Sequence, residues 1–200
     1  MKNFKKFLLH ILSGIFLLLA GCATDKAFVR PSDDALILGK TTRGEIIKTY
    51  GEPIRSGNIA QNNTSMSTSS YTNSIAIPFT TKLSTKAIVF AFHDDILVGY
   101  DFASSYDDDQ KQKDQKESML RKIKNGDSKN EVLSLIGKPD GEGIYPITSK
   151  KGYTAIRYNF LTTSRIPLNP KPKTSSKSTT IEFNEDGIVL DIKTVENSLK

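Results

Sequence analysis

The stretch EIIKTYGEP (residues 45–53) returns as EVLSLIGKP (residues 131–139), 86 positions later. A chain that rewrites a helix together with its start and stop signals is constrained to build two similar units. In the first copy Thr42 and Glu45 form the pattern T-x-x-E. The threonine oxygen can accept from a free amide of the first turn while the glutamate reaches back to the cap. Ile46, Ile47 and Tyr50 fall on one helical face, Gly51 suits the left-handed residue that ends a helix, and Pro53 forbids continuation. Ser128, Glu131, the face Val132, Leu133 and Ile136, then Gly137 and Pro139 repeat every device.

The echo extends outward. Apolar clusters ALIL (residues 35–38) and MLRKI (residues 119–123) precede the two copies, and each is followed by a glycine, Gly39 and Gly126. This predicts two short helices at the start of each unit. Further on, IVFAFHDDILVGYDF aligns with TTIEFNEDGIVLDIKTV, with Phe92 matching Phe183 at an offset of 91. Apolar runs around a polar turn predict a β-hairpin in each unit. The five extra residues of the second unit are expected in RIPLNPKPKTSSKS (residues 165–178), which reads as a loop from its Pro, Ser and Lys content. The first unit also carries a polar stretch, residues 56–70, before the strand-like YTNSIAIPF, and the second carries EGIYPITS and YTAIRYNFLTT around residues 150–152. The expected fold class is α+β: two tandem repeats, each of two short helices packed on a three- or four-stranded antiparallel sheet, with the other sheet face open.

The start of the chain is of another kind. MKNFKK is basic, FLLHILSGIFLLLA is apolar, and LAGC follows, ending at Cys22. The apolar run is short for a membrane span and ends in small residues, as an export signal does. Leu19, Ala20, Gly21 and Cys22 resemble the lipobox of bacterial lipoproteins at every position. That resemblance implies cleavage before Cys22, a covalent lipid (palmitate among its acyl chains) on this residue, and anchoring by several chains. The other reading is an ordinary signal peptide with a chance cysteine. Because Ala23 rather than Asp follows Cys22, the resemblance further implies the outer membrane, facing the periplasm. The expected organisation is a signal peptide over residues 1–21, a stem over 22–32, a first repeat over 33–103, a charged linker over 104–116 and a second repeat over 117–197.

The formal charge of +6 includes Lys2, Lys5 and Lys6. Without them 25 basic residues face 22 acidic ones, which argues against a nucleic-acid partner. Cys22 is the single cysteine, so no internal disulfide forms. Gly39, Lys40 and Thr41 echo the end of a phosphate loop, but Asp34 stands where that loop needs a glycine. His93 reads as a turn residue without a nucleophile motif, and the aspartates at 94, 95 and 107–109 lack calcium-loop spacing. No catalytic residue, metal ligand or cofactor is expected beyond the lipid. Lys171, Lys173 and Lys177 read as a solubilising basic loop, the other reading being contact with anionic lipid or another envelope polymer.

Aromatic residues in the predicted strands remain. Some must form core, and alternation sends others to an open sheet face, where aromatics anchor partners. Tyr71, Phe79, Tyr145, Tyr158 and Phe160 are the candidate partner-binding residues.

GKTTRGEIIKTYGEP resembles the signature of the BamE (SmpA/OmlA) lipoproteins: a glycine, a threonine cap, an acidic residue, an aliphatic pair, then Gly-x-Pro. Two such units in tandem also resemble β-lactamase inhibitory protein. The first resemblance implies an envelope scaffold acting with the barrel assembly machinery; the second implies an inhibitor of a periplasmic enzyme. BamE has one unit where this chain has two, and none of its partner-contacting residues can be matched here. An envelope hydrolase is a third reading, which lacks a nucleophile motif, a metal cluster and a carboxylate pair.

Overall fold

The computed structural model describes residues 32, 35–76, 83–106, 112–165 and 172–199. Eight strands form one antiparallel sheet in chain order: β1 (Arg55–Gln61), β2 (Thr64–Ala76), β3 (Leu83–His93), β4 (Ile96–Ser104), β5 (Gly141–Ile144), β6 (Thr154–Arg165), β7 (Pro172–Phe183) and β8 (Val189–Leu199). Three eight-residue helices accompany them: α1 (Arg43–Tyr50) before β1, then α2 (Lys113–Leu120) and α3 (Lys129–Ile136) between β4 and β5.

This architecture overturns the expectation of two small sheets, each under two helices. The sheet is continuous because β4 pairs with β5 through Gly99–Gly143, Tyr100–Glu142 and Asp101–Gly141. Two separate sheets would each leave an inner edge of unpaired backbone groups, and joining the edges satisfies both. Nor does ALIL form a helix. Residues 38–40 are a turn, closed by the Thr41 amide on the Ile37 carbonyl (2.9 Å) and with Gly39 at φ +78°. In the second half the helix starts at Lys113, inside the segment read as linker, and ends at Leu120 before most of MLRKI.

Two further segments differ from expectation. Residues 56–70 are mostly strand, since β1 and β2 meet at Asn62 and Asn63, both at positive φ (51° and 58°). A two-residue turn with both centres left-handed matches the strand twist, and asparagine tolerates it. The serine- and threonine-rich alternation carries no apolar signal because even its helix-side positions are polar: Ser67 and Ser69 pair opposite Phe92 and Phe90 and accept from the Arg43 guanidinium. Within the predicted loop over residues 165–178, Arg165 ends β6 and residues 172–178 belong to β7, paired with β6 from Thr154–Phe183 out to Arg165–Pro172, while residues 166–171 lie outside the described residues.

The repeated helix is built as the sequence demands. Thr42 and Ser128 each cap by accepting from the amide three residues on, and Glu45 and Glu131 close the reciprocal half of the capping box at 2.8 and 2.7 Å. Gly51 and Gly137 follow the helices at φ 83° and 86°. Each cap residue also bridges the facing hairpin, Thr42 to Ile96 and Ser128 to Ile188. Both helices lie on one sheet face. In the first half Ile46 packs with Tyr71, Ile88, Phe90, Phe92, Leu97 and Phe102; in the second, Val132 and Ile136 pack with Ile156, Tyr158, Phe160, Ile181 and Phe183.

The boxes carry a pH dependence. Backbone hydrogen bonds from Thr42 and Ser128, then side-chain bonds from the same residues, hold Glu45 and Glu131 below the ordinary glutamate value. A lowered folded value stabilises the native state above the unfolded pKa of about 4.3 and loses that contribution as pH falls through the lower folded value. Glu131→Gln should therefore flatten the acid limb of a stability–pH curve and leave its shape above pH ~6 unchanged. Urea titrations from pH 3 to 7 check this.

Candidate binding cleft at the joint between the two halves

Cross-strand pairing assigns every strand residue to a face. Tyr71, Tyr158 and Phe160 lie under the helices, 5%, 0% and 4% exposed. The Tyr71 hydroxyl donates to the Gly51 carbonyl (2.9 Å) and the Tyr158 hydroxyl to the Gly137 carbonyl (2.8 Å). Each tyrosine thus ties the end of a repeated helix to its sheet, and the structure places all three aromatics in core. Tyr145 is half-buried in the β5–β6 loop, its hydroxyl 3.4 Å from Thr64 Oγ1. Phe79 and Cys22 lie outside the described residues. Among the described strand residues, no aromatic faces the open side. Bulky rings alternate with small or polar residues, and the helix side took every ring because only there is a thick core to fill.

What the open face carries is different. One row across the central strands reads Ala91, Gly99, Gly143, Ala155, and the next reads Val89, Asp101, Gly141, Arg157, Thr180. The β5–β6 loop folds over the first row. Ile147 joins Ile144 against a small cluster of Met66, Ala91 and Val98. A Cβ on Gly143 would stand 2.8 Å from Ile147 Cγ2, and one on Gly99 would stand 2.9 Å from the Glu142 carbonyl oxygen. Glycine is required here for close approach.

The loop is held from the first half. Asn62 donates through Nδ2 to the carbonyls of Pro146 (2.9 Å) and Thr148 (2.7 Å), and Gln61 donates to that of Ile147 (2.5 Å). The β1–β2 turn therefore reaches across and latches onto the second half.

Beside the loop a charged network spans the joint. Arg157 Nη1 donates to Asp101 Oδ2 at 2.6 Å and Arg157 Nε to Thr180 Oγ1 at 2.9 Å. Asn159 Nδ2 donates to Asp101 Oδ1 and to the Phe102 carbonyl (2.8 Å), while its own carbonyl accepts from Ser178 (2.7 Å). Asp101 comes from the first half and its partners from the second. Where β5 has ended, the Asn159 side chain replaces the missing strand as partner for β4.

These parts enclose a cleft of about 220 Å³, with Ile59, Val89, Ala91 and Ile147 as apolar walls and Asp101, Arg157 and Thr180 along one side. A second, wider hollow of about 900 Å³ lies among the loops, between His93 and Asp94 of the β3–β4 turn and Tyr145, Lys151 and Tyr153. His93 sits at that turn with Nδ1 3.3 Å from the Ser65 carbonyl. Asp95 accepts from Arg43 Nε at 2.7 Å, so it secures the first turn of α1. Among the described residues no three His, Cys, Asp or Glu side chains are grouped to hold a metal ion. Lys177 pairs with Glu117 (3.6 Å) and Glu196 (3.1 Å) on the helix side instead of standing in a basic loop.

The sequence reading missed the residues of the cleft. Gly141 and Gly143, spaced by two on one strand, were the available signal, since small residues at that spacing mark one sheet face kept open for another backbone or side chain. Asp101 and Arg157 had none, being single charges in separate strands.

No family model matches the chain, and no curated protein matches it. Among solved structures, the chain is similar to a crystal structure from Streptococcus mutans, described as a "putative beta-lactamase inhibitor protein", at 10% identity and a TM-score of 0.38, over 78% of this chain and 82% of that one. A likeness of that extent carries no argument about this chain.

Proposed function

We propose that this protein is a lipid-anchored outer-membrane protein that binds another envelope protein on the open face of its sheet, and that it is not an enzyme. One observation supports binding above all: the cleft is assembled from both halves, by the Asp101–Arg157 pair and the Asn62 latch, so the joined sheet offers a surface neither half has alone. Ile59 and Val89, two of its apolar walls, remain exposed at 46% and 36%. Exposed aliphatics around a half-enclosed cleft suit a protein surface better than a reaction, which needs a positioned nucleophile or acid–base pair. The lipobox-like LAGC supports the anchor, with acyl chains on Cys22 holding the protein at the membrane and raising the chance of encounter with neighbours there.

Cys22→Ala should move the chain from the membrane pellet to the soluble fraction, read by fractionation and immunoblot; retention in the membrane would sink the lipid anchor. Affinity purification of the full-length protein in mild detergent, with mass spectrometry, then tests the partner. Enrichment of barrel-assembly proteins over the Cys22→Ala control supports a scaffold in outer-membrane protein assembly. Recovery of a single periplasmic enzyme, equally by the Cys22→Ala chain, favours the inhibitor reading, for which the cleft at the joint is the fitting surface.

A further inference from the structure

We infer that the cleft at the joint is a socket for one tyrosine side chain of the partner protein. The inference rests on the protein-binding reading and adds the chemistry of the contact. Size comes first: an aliphatic cavity of about 150 Å³ admits a benzene ring, and this cleft offers about 220 Å³. Shape follows from the glycines. Gly141 lies on the open face between Asp101 and Arg157, and its missing Cβ leaves room for the carboxylate of Asp101 to close over it toward Arg157 as the polar end of the cleft. Ile59, Val89 and Ile147 supply aliphatic walls against which ring faces pack.

Charge narrows the class. Asp101 and Arg157 neutralise one another at 2.6 Å, so the cleft has no net charge to offset the desolvation of an ionised side chain. Aspartate, glutamate, lysine and arginine are thereby disfavoured. A polar tip is nevertheless provided for. Arg157 uses Nε and Nη1 on Thr180 and Asp101, and its Nη2 donates to no described residue. The Thr180 oxygen accepts from Arg157, which leaves its own proton to donate. A phenolic hydroxyl, able to accept from either group, satisfies this side where a phenylalanine ring would leave it unpaired. The rim favours a protein over a free small phenol: the walls Ile59 and Val89 remain exposed, and residues flanking the tyrosine would cover and dry them.

The probe is N-acetyl-tyrosinamide titrated into the ¹⁵N-labelled full chain in detergent, with the phenylalanine and lysine analogues alongside. Saturable shifts at the amides of Gly99, Gly141 and Gly143 and at Arg157 Nε–H are expected, with the phenylalanine probe about 5-fold weaker at the same site. The lysine probe should move none of them. Val89→Trp, which fills the cleft from an exposed strand position, should abolish the shifts; Ile59→Glu serves as the second variant, and far-UV circular dichroism confirms that both fold. Absent shifts, equal response to lysinamide, or shifts that persist in both variants would overturn the socket. Capture of a partner that neither variant weakens would leave the binding reading standing and remove this site from it. Tyrosinamide binding in a chain that captures no protein would overturn the partner's side chain as occupant and point to a small phenol.

Discussion

Tyr158→Ala is expected to destabilise the protein by about 4 kcal/mol, the range for emptying an aromatic site in a core. The side chain is fully buried beneath α3 and sits among Ile156, Phe160, Ile181 and Phe183 of the same sheet face. Its loss removes apolar contact and leaves a cavity that the paired strands β6 and β7 cannot collapse. With a urea slope of about 2 kcal/mol per molar, the midpoint should fall by about 2 M. Tyr158→Phe separates the two roles of the residue. The ring stays, the hydroxyl bond to the Gly137 carbonyl goes, and the expected cost is about 1 kcal/mol. Tyr71→Phe should cost a similar amount, because its hydroxyl meets the Gly51 carbonyl in the same way. A Tyr158→Phe loss as large as that of Tyr158→Ala would show that the helix-end bond, not the ring, holds α3 in place.

Gly141→Ala is the second large effect, and it strikes the joint instead of a core. A Cβ there would lie 2.7 Å from the Tyr100 carbonyl oxygen, 2.8 Å from Asp101 Oδ1 and 3.2 Å from Asp101 Cα. Two of these three are backbone atoms of the neighbouring strand, so no rotamer change relieves them. Strand β5 must shift from β4, at an expected cost of about 3 kcal/mol. Only three residue pairs join the strands, so the shift weakens the link between halves more than either core. Amide hydrogen exchange should show it: protection falls first in β5 and at Gly99 to Asp101, while β3 and β7 keep theirs. Uniform loss across the sheet would mean that the halves unfold as one unit.

The clearest sequence signals were local ones. Thr42 with Glu45 and Ser128 with Glu131 are capping boxes because a cap, its third residue and its terminating glycine act within one turn, so spacing alone specifies them. The hairpins at Asp94–Asp95 and Asn184–Gly187 were visible for the same reason, as polar turns between apolar runs. The first helix of the leading unit was misread because ALIL has apolar content without length. Four residues cannot offset helix nucleation, and Gly39 takes the left-handed φ of a turn instead. β1 was missed because an edge strand exposed along its whole length has no apolar alternation to detect.

The side that each ring faces was beyond the sequence. Tyr71, Tyr158 and Phe160 share strand positions that alternate correctly, but alternation gives parity and not direction. The helices decide direction by covering one face, and the rings follow them into the only space deep enough to bury them. The single sheet is also a tertiary result. Nothing in GYD or GEG states that Gly99, Asp101, Gly141 and Gly143 will meet, since they lie some forty residues apart in the chain and pair only once both halves have formed. What the sequence by itself determined is therefore the repeated, capped, locally hydrogen-bonded pieces. What only the tertiary structure decided is the union of the pieces into eight strands and the cleft at their joint, because both depend on contacts between distant residues whose gain is realised only after the chain has closed the distance.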